Sequence, residues 1–285
     1  MRRSLLFIPA NSPAMLQNAD VFAADAVIFD LEDAVALSEK DAALNLLDQF
    51  LNKFELKGIE KIVRINQLDS PFSITDLKLI ANKRIDTIML PKASYRYTLN
   101  LAKMLDKIEK HNHMTKSINI LPIIESSKSV IEINKIASAP RVNGLLLGGE
   151  DLATDLEVER TETGHEIFLS RAMLILAAKA NKIDAIDTPY TDMKNEEGLK
   201  KDSKFSKGLG MNARVCIHPN QSDAINEIFS PNQNEIDHAQ KIINAYQDSI
   251  KTGKGAFSVD GKMIDKPIIE RAQKVLEKAE QWNLL

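Results

Sequence analysis

The chain has 285 residues, 44% of them hydrophobic and 27% charged, with 37 basic side chains against 40 acidic ones and a formal net charge of −3. This composition excludes extended disorder and a membrane-embedded chain, and with no basic run longer than Arg2-Arg3 or Lys200-Lys201 nucleic acid is not an expected partner. The single cysteine, Cys216, can form neither an internal disulfide nor a cysteine-rich zinc site, which fits a reducing, cytoplasmic setting.

The opening Met1-Arg2-Arg3 and apolar Leu5-Leu6-Phe7-Ile8 imitate an export signal, but Pro9, Asn11, Ser12 and Pro13 cut the apolar stretch short. No stretch approaches the roughly 18 apolar residues of a membrane helix. Ser4 to Pro9 is instead the first of eight short β-rich runs; the others are Ala26 to Asp30, Ile62 to Asn66, Thr87 to Pro91, Ile118 to Glu125, Val142 to Leu147, Asp184 to Thr188 and Arg214 to His218. Without clean polar alternation they suit strands buried on both faces of a parallel sheet, and most gaps can hold a crossover helix. Helical spacing shows at Leu44, Leu47, Leu51 and Phe54, and again at Leu99, Ala102, Leu105 and Ile108. Eight repeats predict an α/β fold, a (β/α)8 TIM-type barrel over residues 1–228. An open doubly wound sheet is the alternative.

After the eighth run the pattern changes, and residues 229–285 are expected to form a C-terminal helical lobe. Phe229 to Asn234 reads as a turn into a helix carrying Ile236, Ala239, Ile242, Ile243 and Tyr246, which Thr252-Gly253-Lys254-Gly255 stops. Gly261 marks a turn. Pro267 suits the first turn of a final helix with the stripe Ile268, Ile269, Ala272, Val275, Leu276 and Ala279.

Barrel enzymes carry their active sites at the carboxyl ends of the strands, so the polar residues that terminate the runs matter most. These are Asp30, Glu32 and Asp33 after the second run, Arg64 and Asn66 in the third, Lys92 after the fourth, Glu125 and Ser126 at the fifth, Glu150 and Asp151 after the sixth, Asp187 and Tyr190 at the seventh, and His218 at the eighth. Converging carboxylates with few histidines favour a hard cation such as Mg2+ over zinc, and hence a metal-assisted reaction on an oxygen-rich anionic substrate. Each residue also has a plainer reading. Glu125 could be solvated or paired with an arginine, Arg64 in an apolar run could pair with Glu32 or Asp33, and Asp265, two residues before Pro267, could simply cap a helix. Lys92 could be the Schiff-base lysine of a metal-free aldolase. His111 and His113 suit a solvated loop, His218 a structural or pocket-lining role, and Cys216 the core.

Six segments, in order, carry a resemblance over nearly the whole chain: Arg3 to Pro9, Phe29-Asp30-Leu31-Glu32-Asp33-Ala34-Val35, Val63-Arg64-Ile65-Asn66, Ile124-Glu125-Ser126, Gly148-Gly149-Glu150-Asp151-Leu152 and Gly261 to Pro267. The chain resembles the citrate lyase β-subunit family, within the malyl-CoA and citramalyl-CoA lyases of the HpcH/HpaI aldolase superfamily. The resemblance implies a Mg2+-dependent lyase that splits a 3-hydroxyacyl thioester, with CoA as part of the substrate, into a keto acid and an acetyl thioester. It places Glu125 and Asp151 on the metal-ligand positions, Glu125 also beside the substrate, and Arg64 on the substrate-binding and catalytic arginine. Asp30, Glu32 and Asp33 then orient Arg64 and metal-bound water. Asp265 falls on an aspartate that reaches a neighbouring subunit's site as catalytic acid/base, so the lobe would extend to that neighbour and the chain would form homo-oligomers, trimers or multiples of three.

Two features bear on the substrate. Ala10 stands where many relatives carry glycine after the first-strand proline, at a backbone that a thioester tail would approach. Arg214-Val215-Cys216-Ile217-His218-Pro219-Asn220-Gln221 looks more like stand-alone acyl-CoA lyases than like dedicated citrate lyase subunits. The alternatives are the β subunit of a multi-subunit citrate lyase acting on citryl-acyl carrier protein, with that carrier as partner, and a non-catalytic barrel.

Overall fold

A strand that is apolar on both sides must be covered on both sides, and the eight runs achieve this by pairing in a ring with helices outside it. The computed structural model describes residues 2–81, 84–251 and 257–285. The strands are β1 (Ser4–Pro9), β2 (Ala26–Asp30), β3 (Glu60–Arg64), β4 (Thr87–Leu90), β5 (Asn119–Ile124), β6 (Gly144–Leu147), β7 (Asp184–Asp187) and β8 (Ala213–Cys216). They form a closed barrel in chain order, every pairing is parallel, and β1 pairs with β8 through Ser4–Arg214, Leu5–Val215 and Leu6–Cys216. That last ladder excludes the open sheet. The expected helical stripes fall in the crossovers Lys40–Lys53 and Tyr95–His111, except that Phe54 lies just past the first helix in extended backbone and is exposed.

Side chains alternate across each strand. Leu5, Ile28, Ile62, Leu121, Leu146 and Ile186 point into the barrel and pack together as its core. Two residues further along the chain, the next inward positions are Asp30 after Ile28, Arg64 after Ile62, Glu125 after Ile123, Gly148 after Leu146, Thr188 after Ile186 and Ile217 after Val215. The apolar plug therefore gives way to charge within one step, at the carboxyl ends of the strands. The opposite end is closed by a polar network. Arg2 Nε and Nη2 donate to Glu60 at 2.6 and 2.7 Å, its Nη1 donates to Asp184 at 2.9 Å, and Thr87 Oγ1 donates to Glu60 at 2.6 Å.

The outward positions of β7 and β8 correct one expectation. Asp187, read as a rim residue, faces away from the barrel interior and is fully buried against the helices Phe168–Ala180 and Glu196–Leu209. There it accepts from Arg171 Nε at 3.0 Å and Arg214 Nη2 at 2.7 Å; Asp202 pairs with both arginines and Ser203 accepts from Arg214 Nη1 at 2.7 Å. Two guanidiniums and two carboxylates balance in charge, although Arg171 Nη1 is left without a hydrogen-bond partner.

The described residues divide into two compact units, 1–226 and 227–285, with the helix Ser222–Phe229 running across the division. In the second unit the helices Gln233–Lys251 and Lys266–Gln281 pack through Ala239, Ile242 and Ala272. Between them lies an antiparallel hairpin, β9 (Phe257–Val259) and β10 (Lys262–Ile264), turning at Asp260–Gly261. The sequence indicated only its turn, because three-residue strands leave no periodic signal. The expected helix stop at Thr252 to Gly255 lies outside the described residues. No helix among the described residues is long and apolar enough to cross a membrane.

Removing one partner of a buried ion network leaves an uncompensated charge, so Asp187→Ala is expected to destabilise the barrel by about 3–5 kcal/mol in urea unfolding. A loss near that of an exposed pair would contradict this account of the network.

Candidate active site

The inward turn to polar residues opens a cavity of about 320 Å3 at the carboxyl ends of the strands. Phe7, Ile123, Leu146 and Ile217 supply its apolar wall, and Asp30, Arg64, Glu125, Asp151 and Thr188 its polar groups.

Arg64 is the cation of one side. Its Nε and Nη2 donate to the two oxygens of Asp30 at 2.7 and 2.6 Å, its Nη1 lies 3.1 Å from Glu32 and 3.9 Å from Asp33, and its guanidinium carbon sits 4.9 Å from the centre of the Phe7 ring. Asp30 is thus the principal partner, where the sequence pointed first to Glu32 or Asp33; β2 and β3 pair Asp30 directly with Arg64 across the ladder. Asp30 also accepts from the backbone of Glu32 and Ala34, at 2.9 and 3.1 Å, and so shapes the loop that bears Glu32. The buried Lys40 fastens the same loop by donating to the carbonyls of Leu31 and Glu32, at 2.7 and 2.6 Å. Burial works against the Arg64 charge, but the hydrogen bonds and charge of Asp30, with Glu32 and Asp33, outweigh it and push its pKa further up. Glu32 is driven up to about 7 by burial, which Arg64 opposes and Asp33 and Asp30 reinforce.

Glu125 and Asp151 form the other side. Glu125, just past β5, is 4% exposed, whereas Asp151 lies in the first turn of the helix Gly149–Asp155 with its side chain 45% exposed. Lys92 joins them: its backbone N–H donates to Glu125 Oε1 at 2.5 Å, and its Nζ is 2.9 Å from Asp151 and 3.9 Å from Glu125. Lys92 holds a left-handed backbone with φ of 47°, a costly conformation for a lysine that these contacts sustain. Burial pushes Glu125 up to about 8, and the adjacent Asp151 carboxylate adds to the rise even though Lys92 opposes it. Asp151 is displaced the other way. Its partial burial works upward, but Lys92, Glu125 and the charge of Arg64 hold it below the usual carboxylate range. The lysine in turn is raised, its burial outweighed by Asp151 and Glu125. A lysine held as ammonium between two carboxylates is a poor Schiff-base nucleophile.

Two glycines make this approach feasible. A Cβ on Gly148 would stand 2.5 Å from Cβ of Glu125, and one on Gly149 would stand 2.7 Å from Oγ1 of Thr188. The Gly-Gly-Glu-Asp segment is therefore threaded between Glu125 and Thr188 with no room for a side chain. Glu150, the neighbour that could have taken the place of Asp151, lines the cavity but pairs with Arg160 Nε at 3.1 Å.

The donor set suits a hard cation. Two carboxylates crowd together, and the more buried one retains a proton to about pH 8 in the absence of metal. Among the described residues no group of three metal-ligating side chains forms, so a cation held by Glu125 and Asp151 keeps most of its coordination positions for water or substrate. The other candidates fall elsewhere. His218 is exposed and caps the short helical turn Pro219–Gln221, His111 and His113 are exposed at a helix end, and Cys216 is buried with its thiol pushed up to about 12 by burial. Asp265 lies in the second unit, where it caps the helix Lys266–Gln281 by accepting from the Ile268 N–H at 3.2 Å.

A family model described as HpcH/HpaI aldolase/citrate lyase matches residues 3–219. The chain belongs to that family. It is 39% identical over 282 residues to the citrate lyase subunit beta of Haemophilus influenzae, covering 98% of this chain and 97% of that one. It is 32% identical over 278 residues to a (3S)-malyl-CoA thioesterase of Cereibacter sphaeroides, covering 98% and 94%. Among solved structures, CitE from Mycobacterium tuberculosis in complex with magnesium, acetoacetate and coenzyme A superposes with a TM-score of 0.81 at 28% identity, over 98% of both chains. The HpcH/HpaI aldolase/citrate lyase barrel thus carries its charged cavity at the carboxyl ends of the strands.

A pH dependence follows from Glu125. Its carboxyl titrates near 4.5 in the unfolded chain and near 8 in the folded one, so the folded state binds the extra proton between those values. Stability from this group is complete below about pH 4.5 and is lost as pH rises through about 8. The buried Glu32 acts in the same sense up to about 7. Thermal midpoints in EDTA should therefore fall from pH 5 to pH 9, and Glu125→Gln should flatten the upper part of that fall. Parallel curves for the two proteins would contradict the assignment.

Proposed function

We propose that this chain is a Mg2+-dependent carbon–carbon lyase that cleaves a 3-hydroxyacyl thioester to a keto acid and an acetyl thioester. The observation that carries the reading is the convergence of Glu125, Asp151 and the neutralised Arg64 on one cavity. The likeness to a CitE bound to magnesium, acetoacetate and coenzyme A supports it.

Cleavage requires loss of the 3-hydroxyl proton and stabilisation of negative charge as it moves to the thioester enolate. Glu125 and Asp151 would hold the Mg2+, which when bound lowers the hydroxyl pKa and polarises the substrate's oxygens. Arg64 is already fixed by Asp30 and Glu32, so its remaining N–H donors can meet a substrate oxygen without reorganising. Preorganised charge of this kind contributes about 3–4 kcal/mol per donor. Phe7, Ile123 and Leu146 give the site an apolar wall, which would keep water from the enolate carbon. Asp265 from a neighbouring copy is assigned both proton transfers, taking the 3-hydroxyl proton as carboxylate and giving it to the enolate carbon as the acid so formed, which makes the working form a homo-oligomer.

Citrate lyase beta subunits from three genera are 35–39% identical to this chain, against 31–32% for the (3S)-malyl-CoA thioesterases. This favours a citryl group on an acyl carrier protein over a free CoA thioester, and it outweighs the stand-alone character of the Arg214–Gln221 segment.

The test incubates the purified chain with malyl-CoA, citramalyl-CoA, citryl-CoA and citryl-acyl carrier protein, and follows keto-acid release with Mg2+ and with excess EDTA. Mg2+-dependent release from one of them, abolished by Glu125→Ala and lowered about 100- to 1000-fold by Arg64→Ala, is expected. Equal release in EDTA would overturn the metal assignment. Mixing the impaired Arg64→Ala and Asp265→Ala proteins should raise activity above that of either alone through hybrid oligomers, whereas no recovery after demonstrated subunit exchange would remove Asp265 from the mechanism.

A further inference from the structure

The loop that carries Asp151 has an anchoring problem that its own residues cannot solve. The first N–H groups of a helix need acceptors from outside it. The cap position of the helix Gly149–Asp155 is Gly148, which has no side chain to supply one. A capping side chain is also barred there, because Glu125 occupies the space that a Cβ would fill.

The acceptor comes from the neighbouring strand, β7, which pairs with β6. Thr188, the inward residue that follows β7, is fully buried, and its Oγ1 accepts from the Gly149 N–H at 3.0 Å. It stands against Gly149 so closely that a Cβ on that glycine would approach Oγ1 to 2.7 Å. Thr188 is itself held from behind: its carbonyl accepts from Arg214 Nε at 3.1 Å, and that arginine is fully buried and locked to Asp187, Asp202 and Ser203. A continuous path of hydrogen bonds therefore runs from the buried ion network, through Thr188, to a backbone amide two residues before Asp151.

We propose that Thr188 is a positioning residue for Asp151: its hydroxyl caps the Gly149 amide from outside the helix and so sets where the second carboxylate stands relative to Glu125. This rests on the reading of Glu125 and Asp151 as a metal pair. Thr188 lines the same cavity but hydrogen-bonds the Gly149 amide and neither carboxylate, so its effect passes through the backbone of the Gly148–Asp151 segment.

Mn2+ binding to the full-length protein, read by the loss of the free-ion electron paramagnetic resonance signal, separates the two claims. Wild-type protein should bind Mn2+ and Glu125→Ala should not; equal binding by both would sink the metal reading itself. Given that difference, Thr188→Val, which keeps the shape and removes the acceptor, should weaken Mn2+ roughly tenfold, as loss of an orienting partner does at other metal sites. Thr188→Ser, which keeps the hydroxyl, should restore it. Thr188→Ala gives the same loss as valine without a methyl group against Gly149, and serves if valine does not fold. A folded Thr188→Val or Thr188→Ala protein with wild-type Mn2+ affinity, beside a Glu125→Ala protein that has lost it, would overturn the positioning role and leave the metal pair standing.

Discussion

A guanidinium at the mouth of an apolar barrel has to be neutralised where it stands, and the pairing of Arg64 with Asp30 sets the terms for the rest of the rim. Both oxygens of Asp30 are engaged by Arg64, and the same oxygens take backbone N–H groups from the loop that follows β2. One carboxylate therefore fixes a cation on the neighbouring strand and the path of its own loop. Glu32 reaches Arg64 because that loop is shaped in this way, and the buried Lys40 closes the arrangement from behind. The arginine is rigid and charged before any ligand arrives, which is the condition under which a fixed charge is most useful to a reaction.

The opposite side works by tension. Glu125 and Asp151 are close enough for each to alter the other's proton affinity, and they part in opposite directions: the buried one holds a proton to about pH 8, the more exposed one gives its proton up readily. Lys92 lowers the cost of their proximity through both its amide and its ammonium, and accepts a left-handed backbone to do so. A divalent ion placed there would exchange a proton and part of a lysine's attention for a stronger partner. Filling the site would therefore release that proton and grow easier as pH rises.

Much of this could be read in the chain itself, and the parts that could not share a physical cause. β1 and β2 coincide with their runs because every residue in them is apolar or ends the strand. β3 begins earlier than its run because Glu60 and Lys61 are polar, and what makes Glu60 a strand residue is Arg2 beneath the barrel, 58 positions away. Asp30, Glu32, Asp33 and Arg64 gather in one cluster, and Glu125 with Asp151 in another, as strand-end position suggested. The role of Lys92 between carboxylates was not visible, since it depends on a backbone conformation rather than on a residue type. The Arg171–Asp187–Arg214–Asp202 network did leave a trace: Arg214 opens a β-rich run as oddly as Arg64 interrupts one. Its direction, outward instead of inward, is a matter of register that a single residue cannot declare. Thr188 and Gly149, a hydroxyl and a backbone amide, have no signature of their own.

Cys216 is shielded by the barrel wall, hydrogen-bonded to the Leu5 carbonyl and to Ser222, with its thiol pushed up to about 12 by burial. Thiolate, the form that reacts with maleimides and iodoacetamides, is essentially absent. While the chain stays folded, an exposed cysteine installed on the C-terminal unit would therefore be labelled far faster than Cys216, without a cysteine-free background.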